Sequence, residues 1–196
     1  MQTEDFNYEL PPELIAQRPA ERRDASRLLV LHRESARREH CSFPDLLGYL
    51  RAGDLLVLNN SRVIPARLRG FKPGTHGQVE VLLLEEVARN DWWVMLKPGK
   101  RVRRGTVLQF RDKAGNETAI LAEVLEKNEE GQYRLGFSGS NNIQAELASI
   151  GEVPLPPYIE RLGGLEPEDA ERYQTVFARE NGSVAAPTAG LHFDAA

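Results

Sequence analysis

The chain has 196 residues, 41% hydrophobic and 28% charged, an ordinary globular composition that excludes disorder and is long enough to bury a core in one domain or two small ones. A net charge of −4 excludes a uniformly basic surface, so any contact with a polyanion has to come from a local patch. One cysteine, Cys41, excludes an internal disulfide, and with four scattered histidines it makes no zinc-like ligand set, so no metal site is expected.

The opening Met-Gln-Thr-Glu-Asp carries acids where a signal peptide carries Lys or Arg, and no apolar run approaches the roughly 18 residues needed to span a bilayer. The expectation is a soluble, cytoplasmic protein without membrane contact. Residues 11–14 read as a short helix start, 26–31 as a strand, and 43–51 as an amphipathic helix ended by Gly53-Asp54. Leu55-Leu56-Val57-Leu58 is short, continuous and apolar, which predicts a strand buried on both faces. It runs into the polar loop Asn59-Asn60-Ser61-Arg62, and a loop at the end of a buried strand commonly carries a site.

From Val63 to Phe137 the pattern becomes strand-like. Residues 64–70, 78–87, 92–97, 107–110, 118–126 and 133–137 are separated by Gly, Pro and Asn turns. About six short antiparallel strands without helices predict a small closed or half-closed barrel. Lys97, Lys100, Arg101, Arg103 and Arg104 span one of its turns as the strongest basic patch. A helix follows over 142–150, then a turn at Gly151. Val153-Pro154-Leu155-Pro156-Pro157-Tyr158-Ile159 follows, extended because its prolines forbid a helix interior or a central strand. Glu166-Pro167-Glu168-Asp169 reads as a helix start running to about Gln174, and residues 184–196 are rich in Ala, Gly and Pro around His192. The fold class is mixed α+β: an α/β main domain of residues 1–62 and 151–196, carrying an inserted small antiparallel β-barrel domain of residues 63–150.

Several short blocks, in this order and spacing, carry a resemblance: Asp5-Phe6-Asn7-Tyr8-Glu9-Leu10-Pro11 through Ala16-Gln17-Arg18-Pro19; Arg23-Asp24-Ala25-Ser26-Arg27-Leu28; Gly53-Asp54 through Asn59-Asn60-Ser61-Arg62-Val63-Ile64-Pro65-Ala66-Arg67; Pro154-Leu155-Pro156-Pro157-Tyr158-Ile159; and Tyr173-Gln174-Thr175-Val176 through Ala185-Ala186-Pro187-Thr188-Ala189-Gly190-Leu191-His192-Phe193. Together they resemble the family of S-adenosylmethionine:tRNA ribosyltransferase-isomerases, which forms epoxyqueuosine. That family continues well past the Pro-Thr-Ala-Gly-Leu-His-Phe block, so the resemblance implies a main domain truncated at its C-terminal side, exposed apolar surface, self-association, and a chain that is inactive alone.

The resemblance further implies that S-adenosylmethionine is a consumed co-substrate rather than a permanently bound cofactor. Its ribosyl part is transferred to 7-aminomethyl-7-deazaguanine in tRNA and isomerised, releasing adenine and methionine. The sulfonium acidifies the adjacent ribose protons, so a base tuned near neutrality is needed, and His192 is the preferred base or proton-relay candidate, its other readings being a ligand contact and the structural hydrogen-bonding role more usual for a lone histidine. Pro187, Thr188, Ala189, Gly190 and Phe193 are expected to line the substrate pocket, where the same Pro-Thr-Ala-Gly run would otherwise be a plain turn. Asn59, Ser61 and Arg62 would position ribose hydroxyls or phosphate, against simple loop capping. Arg18 is balanced between a surface ion pair and substrate contact; Tyr158 and Tyr173 between stacking on a base and core packing. For the basic patch the implied partner is tRNA phosphate, where charge runs are otherwise solvated faces. The rival readings are a non-catalytic RNA-binding module and an inactive fragment of that enzyme.

Overall fold

The computed structural model describes residues 2–161 and 164–195; Ala196, the last residue of the Ala/Gly/Pro-rich block, lies outside the described residues. Its centre is an antiparallel barrel. Strands β4 (Arg67–Phe71), β5 (Gln78–Ala88), β6 (Asp91–Lys97), β7 (Val107–Arg111), β8 (Glu117–Lys127) and β9 (Tyr133–Ser138) follow three short elements described below. They are hydrogen-bonded in the order β4-β5-β6-β9-β8-β7, and β7 pairs back onto β4. The closing register is Gly70 to Phe110 and Phe71 to Gln109. Gly70 permits it: a Cβ there would lie 2.9 Å from the Gln109 carbonyl oxygen and 3.2 Å from the Phe110 ring.

Alternation builds the interior. Leu68, Val81, Leu83, Val94, Leu108, Phe110, Val124 and Leu135 face inward with no exposed surface, while their strand neighbours face out. One end is plugged by helix α1 (Ile143–Ile150), which buries Ile143, Leu147 and Ile150, spaced by a helical turn. Asn142 caps it by accepting from Gln144 N at 3.1 Å. Asn90, with φ of 62° in the β5–β6 turn, fastens the plug: its side chain accepts from Ile143 N at 2.7 Å and donates to Ser140 O at 2.8 Å. Strand β10 (Gly151–Glu152) then pairs with β4. A Cβ at Gly151 would lie 2.0 Å from the Pro65 carbonyl oxygen, so no other residue fits without moving backbone.

Outside the barrel, β1 (Arg27–Leu31) and β2 (Arg38–Ser42) form an antiparallel hairpin, and β3 (Ser61–Val63) pairs in parallel with β11 (Glu180–Ser183). A short helix α2 (Asp169–Arg172) lies between. Val63, Leu155, Tyr173 and Ala186 make a second, small core. The molecule is therefore mixed α+β around an antiparallel barrel.

The barrel strands fall where expected, except that the run 64–70 is divided: Pro65 has no N–H to give, and the chain kinks before β4 begins at Arg67. Two expectations are overturned. Residues 43–51 do not form an α-helix; Phe43–Tyr49 is a 3-10 turn, capped by Asp45 and Ser42, with no buried residue. Residues 55–58 are not a buried strand. They make no ladder, and Leu55, Leu56, Val57 and Leu58 are 87%, 51%, 81% and 45% exposed. A strand of this kind needs sheet neighbours on both edges and cover on both faces, and none of the described residues supplies them. Leu29, Leu31 and Leu47 are exposed as well, at 58%, 64% and 76%.

Candidate functional site

The turn Thr188–His192 is held from three directions. The half-buried Arg23 guanidinium donates to the carbonyls of Leu191 at 3.2 Å, Arg172 at 3.5 Å and Glu171 at 2.8 Å, tying the turn to the end of α2. Burial, and then the neighbouring Arg172, lower the pKa of Arg23 from its ordinary value. The His192 ring rests 5.5 Å from the Phe43 ring, and its Nδ1 is hydrogen-bonded to the Ser26 hydroxyl at 3.0 Å. Its Nε2 has no partner among the described residues. Phe193 packs edge-on against Phe43 at 5.0 Å and near Phe177 at 6.1 Å. Gly190 is required by closeness, since a Cβ would approach Thr175 Cγ2 to 2.9 Å and the Phe177 ring to 3.1 Å. Thr175 itself is 4% exposed, and its hydroxyl, like that of Ser61, is buried without a partner among the described residues.

Beside this turn a cavity of about 200 Å³ is lined by Arg18, Pro19, Leu155, Ile159, Tyr173 and Leu191, with Arg161 and Asp169 at its edge. The Arg161 guanidinium pairs with the Asp169 carboxylate through two bonds of 3.0 and 2.8 Å, with the side chains 12% and 7% exposed. That pairing holds Asp169 below the usual carboxylate range, helped by the Glu166 N–H and opposed by burial. The strap over the cavity carries little secondary structure of its own. Gln17 accepts from Glu160 N at 2.7 Å and donates to Tyr158 O at 3.0 Å, as an adjacent strand would. Gln174 treats Val63 the same way, with bonds of 2.9 and 3.1 Å to its N–H and carbonyl. A second groove of about 330 Å³, between the barrel and the proline-rich segment, includes Arg67, Lys97, Pro156 and Arg161.

The expected residues divide accordingly. Arg18 and Tyr173 meet at the smaller cavity, Tyr173 as a core residue and Arg18 in an exposed ion pair with Glu166 at 2.7 Å. His192 and Phe193 sit together on Phe43. Pro187, Thr188 and Ala189 line neither cavity, and Thr188 and Ala189 are exposed. Asn59 caps its own loop, accepting from Ser61 N at 2.8 Å; Arg62 is exposed. Tyr158 is 54% exposed rather than core. Lys97, Lys100, Arg101, Arg103 and Arg104 are all exposed at the barrel, and Lys97 alone reaches the larger groove. The residues that organise the region, Gln17, Arg23, Ser26, Arg161, Asp169 and Gln174, were not singled out as site candidates. Several stand in the recognisable blocks, but their bonds join positions more than a hundred residues apart and leave no local pattern.

The described residues thus combine an antiparallel barrel with a turn that carries His192 and reaches a small cavity through Leu191. The chain belongs to the family described as queuosine biosynthesis protein, whose model matches residues 3–196. It is similar to the S-adenosylmethionine:tRNA ribosyltransferase-isomerases of Natranaerobius thermophilus, 50% identical over 194 residues, and Dehalococcoides mccartyi, 49% identical over 193 residues. Each match covers 98% of this chain and 54% of the relative, so the chain spans about half the length of the curated relatives it matches. A crystal structure of the S-adenosylmethionine tRNA ribosyltransferase of Thermotoga maritima aligns at 43% identity over 74% of this chain and 48% of that one, with a TM-score of 0.36. Among the described residues no helix is long and apolar enough to cross a membrane.

Proposed function

We propose that this chain serves queuosine biosynthesis by contributing the histidine turn and an RNA-gripping barrel to ribosyl transfer and isomerisation from S-adenosylmethionine onto 7-aminomethyl-7-deazaguanine in tRNA. The observation that carries the reading is the fixed imidazole: Ser26 holds Nδ1, and Nε2 is left without a partner among the described residues. A base oriented in this way accepts a proton from the carbon next to a sulfonium at Nε2, with no further reagent. Gly190 lets the turn close onto Thr175 and Phe177, the Ser61 hydroxyl is buried without a partner among the described residues, and Arg18 and Tyr173 border the adjoining cavity. The barrel, residues 63–150, acts as an insertion in a main α/β domain made of residues 1–62 and 151–196. Its cations Lys97, Lys100, Arg101, Arg103 and Arg104 meet tRNA phosphates.

The test is thermal unfolding with and without S-adenosylmethionine, followed by adenine release in the presence of the modified tRNA. Ligand at about a hundred times its dissociation constant stabilises by about 2.7 kcal/mol, which is several degrees in Tm. An unchanged Tm at millimolar ligand overturns the reading. Stabilisation without adenine release assigns the chain a binding role alone.

A further inference from the structure

The β4–β5 and β6–β7 connections are fastened together at the barrel, where the Lys72 ammonium donates to the Arg101 carbonyl. In a chain of net charge −4, neither residues 72–78 nor residues 97–106 contain Asp, Glu, Phe, Tyr or Trp. Elsewhere on the barrel Arg67, Arg69, Arg111 and Arg134 each face a carboxylate. Lys100, Arg101, Arg103 and Arg104 make no ion pair among the described residues, and Lys97 stands opposite Glu80 across the β5–β6 pair.

Charge runs are usually mobile and solvated, but this one is framed. Val102 is buried at its centre, and the Tyr133 hydroxyl donates to Gly99 O at 3.0 Å. Arg103 N donates to Thr106 Oγ1 at 3.0 Å, and Gly105 N to Val124 O at 2.8 Å. In the neighbouring hairpin the His76 ring stacks on Phe71 at 5.9 Å, and Phe71 also takes the Arg111 guanidinium at 4.8 Å. Like charges held close on a fixed backbone repel one another until a polyanion supplies the counter-charge.

Recognition of unpaired bases uses aromatic platforms; these connections hold no Phe, Tyr or Trp, and their one ring, His76, already has a face against Phe71, whereas a paired RNA helix is gripped by its shape and phosphates. We infer that this face binds the phosphate backbone of a base-paired RNA stem, with Lys72 and His76 added to the five cations. The inference rests on tRNA being the partner, and it assigns the face to a stem rather than to the nucleotide being modified.

The experiment measures binding of the whole chain to a fully paired RNA hairpin and to an unpaired RNA of equal length, by fluorescence anisotropy over a range of salt. The hairpin is expected to bind at least about tenfold tighter, with log affinity falling linearly in log salt. Replacing Lys100, Arg101, Arg103 and Arg104 by Gln flattens that slope by about one for each cation that contacts a phosphate. Lys72→Gln flattens it too and Lys72→Arg does not, which separates charge from the bond to Arg101. Equal binding of the two RNAs, a slope that survives the Gln substitutions, or no binding by the unaltered chain overturns the inference. Because S-adenosylmethionine is absent, such a failure leaves its stabilising effect to judge the proposed function independently.

Discussion

The Nδ1 of His192 and the hydroxyl of Ser26 are 3.0 Å apart although 166 residues separate them in the chain. The bond fixes the ring against Phe43 and decides which nitrogen is available for chemistry. In a protein of the relatives' full length, replacing His192 by Gln is expected to cut adenine release by roughly 10² to 10⁴ while leaving stabilisation by S-adenosylmethionine largely intact. Ser26→Ala, which frees the ring without removing it, should cost about tenfold, the equivalent of one hydrogen bond of about 1.4 kcal/mol. Turnover indifferent to both changes removes the proton-transfer role.

Acid should open the region around the Arg161–Asp169 pair. The carboxylate titrates below its unfolded value because Arg161 binds it, so its contribution to stability is full above the unfolded pKa of about 3.9 and is lost as pH falls through the lower native value. Removing the partner with Arg161→Met leaves a nearly buried carboxylate unpaired, at a cost of about 3 kcal/mol near neutral pH. The acid midpoint should also move upward. Circular dichroism from pH 2 to 7 measures both effects; superimposable curves for the two proteins refute them.

Gly190→Ala places a methyl 2.9 Å from Thr175 Cγ2 and should destabilise by about 1 to 2 kcal/mol. Thr175→Ser removes the opposing methyl and should restore most of the loss, with a coupling above about 0.5 kcal/mol in a double-mutant cycle. Additive effects would show that the turn does not press on Thr175. Gly151→Ala has no such remedy, because its obstacle at 2.0 Å is the Pro65 backbone; melting should fall by well over 5 °C.

The exposed run 55–58 should make the chain associate with itself at high concentration. Leu56→Lys together with Val57→Lys is expected to shift sedimentation toward monomer without lowering Tm, since neither side chain is buried. A monomer at every concentration before substitution defeats the idea.

The barrel was legible because its signals are local. Alternating apolar residues and turns such as Arg89-Asn90-Asp91 and Lys113-Ala114-Gly115-Asn116 set β5 through β9 to within a residue or two. Residues 55–58 show the limit of the same reasoning: an apolar run announces burial, but the neighbours that bury it have to be present. The helix expected at 43–51 failed similarly, because Leu47 has no apolar face to meet. Of the site, the histidine and its small-residue turn were visible as a block. Their supports were not, since Arg23 and Gln17 act on backbone atoms and Ser26 on an imidazole far along the chain, and a single sequence carries no trace of such pairings.

The Arg23 bonds also bear on biosynthesis. The pairings among β4 to β9 reach no farther than from Asp91 to Gly136, so these strands can assemble before the C-terminal segment leaves the ribosome. Arg23 waits instead for carbonyls 149 and 168 residues later, and Gln17 for a guanidinium 144 residues later. Residues 17–23 therefore stay without these anchors throughout barrel assembly, open to proteases and chaperones until the ribosome has delivered their distant partners.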